Sequence, residues 1–321
     1  MGGSGDAGQG DAKVRLAFIA GAGLSGSTLL EQTLSQVEGC FTIGELYWMW
    51  KPWWPLAVCE CGRQFQNCPF WQPVLDDAYG SEKEAVRMRL EALGEGFIRH
   101  SVMPTWRSSK PKSKFFGAFK EAGALLEPVY RAAAVRSGAS VLVEATKAGL
   151  WGMCAATSDQ IEMAVVRLVR DPRGFTFSNA RARAFHYPPG SMTTPHGAAR
   201  SYANWLLANL EGDWLRRRAY ADTYVLYEDL TRDPTAAIRA IAQTLGLDAE
   251  STGALDRDTL VIDRVGHAIG GNPRRPKRGS TVIATDDEWK SAGRRSLRVL
   301  APLVLPLWHH YQRKAGSARV A

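Results

Sequence analysis

The sequence predicts an α/β fold in which a central parallel sheet presents its functional residues at one edge. Short apolar runs at 16–20, 140–143 and 161–169 are typical of buried strands, and segments with helical periodicity separate them along the chain. Glycine-rich or polar residues follow each apolar run directly. Because open α/β sheets bind ligands beyond the carboxyl ends of their strands, the fold class itself predicts where a site would lie.

The composition is typical of one large globular domain. The chain has 321 residues, of which 45% are hydrophobic and 22% charged, so it is long enough to bury a sizeable core. Forty Lys and Arg against 32 Asp and Glu give a formal net charge of +8. This excess favours anionic ligands, but it is spread along the chain instead of forming a basic tail, so nucleic acid is not an expected partner.

The domain limits follow from local composition. Residues 1–12 are rich in glycine and predict a disordered leader, 13–314 a single domain with an insertion at about 46–139, and 315–321 a tail. No signal peptide pattern and no run of about 20 apolar residues is present, so we expect no integral membrane segment. A cytoplasmic location with reduced thiols is the matching expectation.

The glycine-rich loop after the first strand has the pattern of a phosphate cradle. Gly21 and Gly26 are spaced as G-x-x-x-x-G, with Gly23 between them and Ser27-Thr28 directly after. Such a loop presents backbone N–H groups to an anion at the start of the following helix. Ser27 stands where a P-loop nucleotidase carries lysine, which argues against triphosphate hydrolysis. An ordinary glycine turn before a helix is the alternative.

A second strand is predicted at 41–46, and a segment dense in aromatic residues follows it. The strand brings a carboxylate, Glu45, to its end. The aromatic side chains fall within 25 residues and are Tyr47, Trp48, Trp50, Trp53, Trp54, Phe65, Phe70 and Trp71. Two interpretations stay open, namely the aromatic core of a loop-rich insertion and an apolar pocket for an acceptor molecule.

The same insertion holds three of the five cysteines. Cys59, Cys61 and Cys68 lie close together, whereas Cys40 and Cys154 are separate. Zinc needs four ligands, usually with C-x-x-C spacing, and this segment supplies three. Structural thiols are the first interpretation, a metal site the second and a disulfide the third.

The rest of the chain alternates helices and strands. Helices are predicted at 82–93, 121–136, 198–220 and 234–245, and a strand at 223–227. Lys147 and Arg170 follow the strands at 140–143 and 161–169, so both are expected at the ligand-binding edge of the sheet. A basic, turn-rich loop at 271–279 precedes a helix that starts at about Asp286.

Four segments together resemble the sulfotransferases that use 3′-phosphoadenosine 5′-phosphosulfate (PAPS), and they occur in that family's order. They are SGSTLL at 25–30, RDPRGFTFS at 170–178, VLYEDL at 225–230 with Asp233-Pro234, and GNP at 271–273 with Arg278-Gly279 and then DEWK at 287–290. The cysteine segment is also similar to one in bacterial members. The resemblance implies a P-loop-type three-layer sandwich with a central parallel sheet and an aromatic and cysteine-containing insertion.

The resemblance also implies an activity and a set of residues. The sulfuryl group of PAPS would move by in-line displacement to a hydroxyl of a small-molecule, carbohydrate or lipid-linked acceptor, with no metal. The 5′-phosphosulfate would lie on the loop, and Arg170, Ser178 and Arg278 would hold the 3′-phosphate. The full set of cofactor-binding residues is Gly23, Leu24, Ser25, Gly26, Ser27, Thr28, Arg170, Ser178, Tyr227, Arg275, Arg278 and Gly279.

Two catalytic residues are expected from the same resemblance. Glu45 occupies the position of a Gly-Glu motif about twenty residues after the loop, where several branches carry the base. Leu24 stands where many members have a basic residue, so Lys147 is the candidate cation for the sulfuryl oxygens. The alternatives are an ion-paired structural Glu45 and a solvated Lys147, with His267 as a weaker candidate base. A P-loop nucleotide kinase and a non-catalytic nucleotide-binding module are the competing functions.

Overall fold

A computed structural model describes residues 12–99, 113–181, 192–248, 255–256, 258–271, 278–293 and 295–317 of the protein. Most of the predicted leader, the last four residues of the predicted tail and the candidate site residue Arg275 lie outside these ranges.

The centre of the fold is a five-stranded, fully parallel sheet with strand order β2-β3-β1-β4-β5. Its strands are β1 (Val14–Ala20), β2 (Cys40–Gly44), β3 (Val141–Lys147), β4 (Ile161–Val169) and β5 (Ala221–Leu226). A small antiparallel sheet consists of β6 (Leu255–Asp256), β7 (Thr259–Ile262) and β8 (Gly279–Val282). The predicted α/β fold class with a parallel sheet is therefore confirmed.

Helices connect the strands and cover both faces of the sheet. They are α1 (Ser27–Leu34), α2 (Trp71–Tyr79), α3 (Lys83–Arg99), α4 (Ser113–Ser137), α5 (Gly149–Ala155), α6 (Pro172–Asn179), α7 (Ala198–Leu215), α8 (Tyr227–Arg232), α9 (Pro234–Thr244), α10 (Glu288–Ser291), α11 (Arg295–Val299) and α12 (Leu305–Ser317). The side chains of Asp171 and Asp233 accept backbone N–H groups at the starts of α6 and α9. In both cases proline follows at the first helical position, where its missing N–H costs nothing.

The alternation of side chains along β1 explains the layers. Leu16 and Phe18 face a core shared with α4 and α5, whereas Ala17 and Ile19 face a core shared with α1 and α9. All four side chains are at most 1% exposed. Since both faces of the sheet are buried, its strands consist mainly of apolar residues, as expected for a parallel sheet.

Several boundaries differ from the prediction. The strand predicted at 140–143 continues to Lys147, which pairs with Ala20 of β1, and the buried side chains of Glu144 and Thr146 bond each other inside the core. Tyr227 begins α8 instead of ending β5, and the helix expected from about Asp286 begins at Glu288 and has four residues. The helix predicted at 198–220 ends at 215, and α12 was not predicted.

The aromatic insertion is largely core. Trp50, Trp54 and Trp71 are at most 2% exposed and pack in the same cluster as one face of β1. Phe65 and Phe70 are also buried there. The interpretation as the core of a loop-rich insertion is therefore correct for these five side chains. Among the described residues, no helix is long and apolar enough to cross a membrane.

Candidate active site

All five strands of the parallel sheet end at one edge, and each brings a predicted site residue there. The glycine loop starts at Gly21 after β1, and Glu45 follows β2 directly. Lys147 is the last residue of β3, Arg170 follows β4, and Tyr227 follows β5. The topology thus brings together residues that are up to about 200 positions apart.

The glycine loop is shaped by two close approaches. A Cβ atom added to Gly21 would lie 2.2 Å from the carbonyl oxygen of Leu168, so the loop passes directly against β4. Gly26 has φ +89°, and an added Cβ would lie 2.7 Å from the Tyr227 ring. A Cβ on Gly23, by contrast, would meet nothing within 4 Å. The loop is therefore packed at its two ends and open in its middle.

The open part of the loop has an unpaired donor. Ser25 is 1% exposed, and its hydroxyl has no hydrogen-bond partner among the described residues. Leu24 has a positive φ of 60°, which is unusual for a residue with a side chain. Because buried polar groups are normally paired, the Ser25 hydroxyl is a donor that a bound anion would satisfy.

Arg170 joins this loop to α6. Its Nη1 donates to the Leu24 carbonyl oxygen at 3.0 Å and to the Ser178 hydroxyl at 3.2 Å. Its guanidinium lies 4.3 Å from the centroid of the Tyr227 ring, and its Nε has no partner among the described residues. The eight-residue spacing of Arg170 and Ser178 therefore brings both to the mouth of the loop.

The carboxylate of Asp286 contacts both Arg170 and Ser178. The Oδ2 atom of Asp286 is 3.1 Å from Arg170 Nη2, from the Ser178 hydroxyl and from Arg181 Nη2. Burial raises the pKa of Asp286, but the hydrogen bond and charge of Arg170 outweigh it and lower the pKa below its usual value. The Asp286 backbone N–H donates to the Tyr227 hydroxyl at 3.0 Å. Sequence reasoning missed Asp286 and Arg181 as members of this site.

The two predicted catalytic residues form an ion pair. Lys147 Nζ lies 2.7 Å from Glu45 Oε1, and the Trp48 indole N–H donates to Glu45 Oε2 at 2.8 Å. Lys147 Nζ also donates to the Ala145 carbonyl oxygen at 2.8 Å, and its backbone has a positive φ of 69°. The two charged side chains are only 14% and 15% exposed. Glu45 is thus ion-paired, and Lys147 is not a solvated lysine.

A backbone contact from the C-terminal part of the chain fixes Glu45. Its N–H donates to the Ile269 carbonyl oxygen at 2.6 Å, and the Ile269 N–H donates to Ile43 at 3.2 Å. Gly44 has φ +78°, and an added Cβ would lie 2.1 Å from the Ile269 nitrogen. The glycine of the Gly-Glu pair is therefore required by this close approach.

Two buried carboxyls support the site. Glu144 accepts hydrogen bonds from the Thr146 hydroxyl at 2.5 Å and from the Tyr130 hydroxyl, and burial raises its pKa to about 7. Burial likewise raises the pKa of Glu228 to about 7, and this carboxyl accepts the Asp171 N–H at 2.9 Å. These hydrogen bonds, all in the described part of the chain, lie within the core beside β3 and at the β4–α6 junction, so we assign the two carboxyls to the support of these two places.

Three other residues predicted for the site lie away from Arg170, Ser178 and Glu45. Arg278 is exposed at the start of β8 and donates to the Asp263 carbonyl oxygen at 3.1 Å, with no contact to Arg170 or Ser178 in the described part of the chain. Gly279 is the first residue of β8. The Nδ1 atom of His267 lies 3.2 Å from the Cys68 sulfur instead of beside Glu45.

The comparisons with known proteins found structural similarity only. No protein-family model matches the chain, and no curated protein matches it. A sulfotransferase domain of a Synechococcus olefin synthase is 20% identical and covers 93% of this chain and 97% of its own, with a TM-score of 0.43. The sulfotransferase domain from the curacin biosynthetic pathway is 16% identical, covers 91% and 97%, and has a TM-score of 0.45.

A third solved structure, a sulfotransferase from Mycobacterium avium, is 10% identical and covers 76% of this chain and 70% of its own, with a TM-score of 0.41. At such identities and TM-scores, likeness alone does not assign an activity, and the interpretation of the site depends on its own residues.

Proposed function

We propose that the chain is a PAPS-dependent sulfotransferase that acts on a hydroxyl acceptor. The observation that supports it best is the contact of Arg170 with Ser178 and with the Leu24 carbonyl, at the mouth of a glycine loop. The Asp286 carboxylate lies on this pair, which means that the pair already binds an anionic group. The four sequence segments that resemble the family include this loop and this pair.

The residues present fit a donor with phosphates at two positions. The open side of Gly23, the unpaired Ser25 hydroxyl and the N-terminus of α1 would hold the 5′-phosphosulfate. Arg170 and Ser178 would hold the 3′-phosphate in the place that the Asp286 carboxylate occupies, and the Arg170 Nε is a further unpaired donor. PAPS supplies a sulfuryl group and a good leaving group, adenosine 3′,5′-bisphosphate.

In the proposed transfer, Glu45 would accept the proton of the acceptor hydroxyl and Lys147 would stabilise the negative charge on the sulfuryl group. As the acceptor oxygen bonds to sulfur, its proton would go to the Glu45 carboxylate, while the S–O bond to the leaving phosphate breaks. Lys147 would turn from Glu45 toward the charge on the sulfuryl and bridging oxygens. Leu24 supplies no charge here, so Lys147 is the cation nearest to the base. Positioning and electrostatics would then account for most of the catalysis.

Half-buried aromatic rings beside Glu45 would form the acceptor side. Tyr47 and Trp48 have ring centroids 5.2 Å apart, and Trp48 and Trp53 are 5.8 Å apart. Trp48 also holds the Glu45 carboxylate, so an acceptor that stacks on these rings would lie next to the base. Such surfaces suit a sugar, a phenol or a lipid-linked headgroup.

The direct test is transfer of radiolabelled sulfur from PAPS to a panel of sugars, phenols and lipid headgroup alcohols. We expect label in at least one hydroxyl compound without added metal, and inhibition by adenosine 3′,5′-bisphosphate but not by 5′-AMP. ATP with Mg²⁺ is included as the donor that a kinase would use. Turnover of ATP instead of PAPS would contradict the proposal, and donor binding without transfer to any acceptor would favour a non-catalytic module.

A further inference from the structure

Four potential metal ligands meet at one point outside the proposed active site. They are the sulfurs of Cys59, Cys61 and Cys68 and the Nδ1 atom of His267, and all lie within 4.8 Å of one another. The three cysteines come from the aromatic insertion, while His267 is about 200 residues further along the chain. Cys59 and Cys68 are buried, and the other two are partly exposed.

Four of the six separations between these atoms are close to the edges of a tetrahedron around zinc, and the other two are at most 4.8 Å. Bonds of about 2.3 Å to sulfur and 2.0 Å to nitrogen place sulfurs about 3.8 Å apart and sulfur about 3.5 Å from nitrogen. The observed Cys68 sulfur lies 3.6 Å from that of Cys59 and 3.8 Å from that of Cys61. His267 Nδ1 lies 3.2 Å from the Cys68 sulfur and 3.8 Å from the Cys59 sulfur. The two sulfur–sulfur distances from Cys68 are far longer than the bond of about 2.05 Å in a disulfide, and all three cysteines are free.

The histidine is held in position by groups that do not coordinate. The Trp71 indole N–H donates to the His267 carbonyl oxygen at 2.6 Å. The Phe70 ring stacks on the imidazole, with centroids 5.0 Å apart and planes 15° apart. The Ala268 and Glu60 segments also bond each other, through Glu60 N–H to the Ala268 carbonyl at 3.3 Å and Ala268 N–H to the Glu60 carboxylate at 3.2 Å. Such support around the ligands is typical of built metal sites.

We propose that Cys59, Cys61, Cys68 and His267 bind one structural Zn²⁺ ion. Binding exchanges three thiol protons for one dication and leaves three thiolates and a neutral imidazole around the metal. All four tetrahedral positions are then filled by protein, so the ion has no open position for a substrate and its role is structural. The ion would take no part in the chemistry of the proposed transfer reaction, which uses no metal.

The proposed zinc site joins the aromatic insertion to the segment of the chain that positions Glu45. Ile269, two residues after His267, makes the backbone bonds that hold Ile43 and Glu45. The zinc ion would therefore fix residues 59–68 against 267–269 and, through them, the orientation of the end of β2. In this arrangement His267 and the cysteines are positioning residues and do not touch the reacting groups.

The first test is metal content. Protein purified without a polyhistidine tag should contain one zinc per chain by mass spectrometry of the metal. Cys68→Ser should lose the zinc, whereas Cys154→Ser should retain it, since Cys154 is a buried free cysteine that bonds the Leu150 carbonyl. Protein that contains no zinc, even after thiol reduction and Zn²⁺ addition, would overturn the proposal, as would a Cys68→Ser variant that keeps the metal.

The second test does not depend on a variant that folds poorly. Replacement of zinc by Co²⁺ in the wild-type protein should give the visible bands of a tetrahedral site and sulfur-to-cobalt charge transfer. His267→Cys should keep the metal and increase the charge-transfer intensity, because a fourth thiolate replaces the imidazole. Six-coordinate cobalt spectra, an unchanged charge-transfer intensity in His267→Cys, or a disulfide among these cysteines in the purified protein would each contradict it. These readouts need no PAPS and no acceptor.

Discussion

The two halves of the proposed active site differ in how their charges are paired. In the donor half, Arg170 and Ser178 hold the carboxylate of a residue from another segment, Asp286, in the place of a ligand. In the reactive half, Glu45 and Lys147 are paired with each other. If the proposed function is correct, the Asp286 carboxylate must leave when the donor binds, whereas Glu45 and Lys147 must separate for the reaction. Substitutions in the donor half should therefore weaken binding, and substitutions in the reactive half should lower turnover without weakening binding.

The largest effect is expected for Glu45→Gln. The amide keeps the shape and the Trp48 hydrogen bond but does not accept the acceptor's proton, so kcat should fall about 10²- to 10⁴-fold. Binding of adenosine 3′,5′-bisphosphate should stay unchanged. Transfer kinetics and calorimetry measure the two quantities separately.

The matched control is Glu121→Gln, which removes an exposed carboxylate on α4 that pairs with Arg89 of α3. It should leave both quantities unchanged. Full activity of Glu45→Gln would remove Glu45 from the role of base and favour its structural interpretation.

Arg170→Ala tests the donor half. A charge-assisted hydrogen bond is worth about 1.5–3 kcal/mol, so the variant should bind adenosine 3′,5′-bisphosphate about 10- to 150-fold more weakly, while its affinity for 5′-AMP should change little. Arg136→Ala removes an exposed arginine paired with Asp77 and is the control. Equal losses for both nucleotides would mean that Arg170 supports the loop and does not contact the 3′-phosphate.

Asp286→Asn tests whether the Asp286 carboxylate competes with the nucleotide for Arg170 and Ser178. The amide removes the negative charge that occupies Arg170 and Ser178, so adenosine 3′,5′-bisphosphate should bind about tenfold more tightly, equivalent to about 1.4 kcal/mol. Calorimetry of the folded variant measures this, with thermal unfolding as the check on the fold. Tenfold weaker binding would instead make Asp286 part of the nucleotide site.

The last prediction concerns stability instead of activity and involves Glu144, which supports the reactive half. Its pKa is about 7 in the folded protein against 4.5 for the free group, so the folded state binds more protons between these pH values. The free energy of unfolding should therefore fall as pH rises from 4.5 to 7, by at most about 1.4 kcal/mol per pH unit from this group. Urea unfolding of wild type and Glu144→Gln measures the difference.

Two other carboxyls with a pKa of about 7, Glu211 and Glu228, are present in both proteins, so their contributions cancel in this comparison. Identical slopes for wild type and variant would show that Glu144 is not a titrating group in this pH window.

The predictable part of the molecule is the part encoded by short segments. The strand, glycine loop and α1 are contiguous, and the spacing of Arg170 and Ser178 spans only the end of β4 and the two turns of α6. The strand-end rule also located Glu45 and Lys147, because it depends on parallel topology and not on their partner.

The unpredicted part depends on contacts between distant segments. Asp286 reaches Arg170 across more than one hundred residues, and His267 joins the cysteines across about two hundred, so no local spacing marks either contact. In the sequence, the lone histidine was interpreted only as a weak candidate base, and the three cysteines were interpreted first as structural thiols and second as part of a metal site. The extension of β3 to Lys147 was missed because buried Glu144 and Thr146 read as polar loop residues.

The central claim is that Arg170, Ser178 and the glycine loop form a site for a 3′-phosphorylated nucleotide. The most direct measurement is calorimetric titration of the wild-type protein with adenosine 3′,5′-bisphosphate, 5′-AMP and ATP, each with and without Mg²⁺. We predict tight, metal-independent binding that requires the 3′-phosphate. Preference for ATP with Mg²⁺, or equal affinity for adenosine 3′,5′-bisphosphate and 5′-AMP, would contradict the claim.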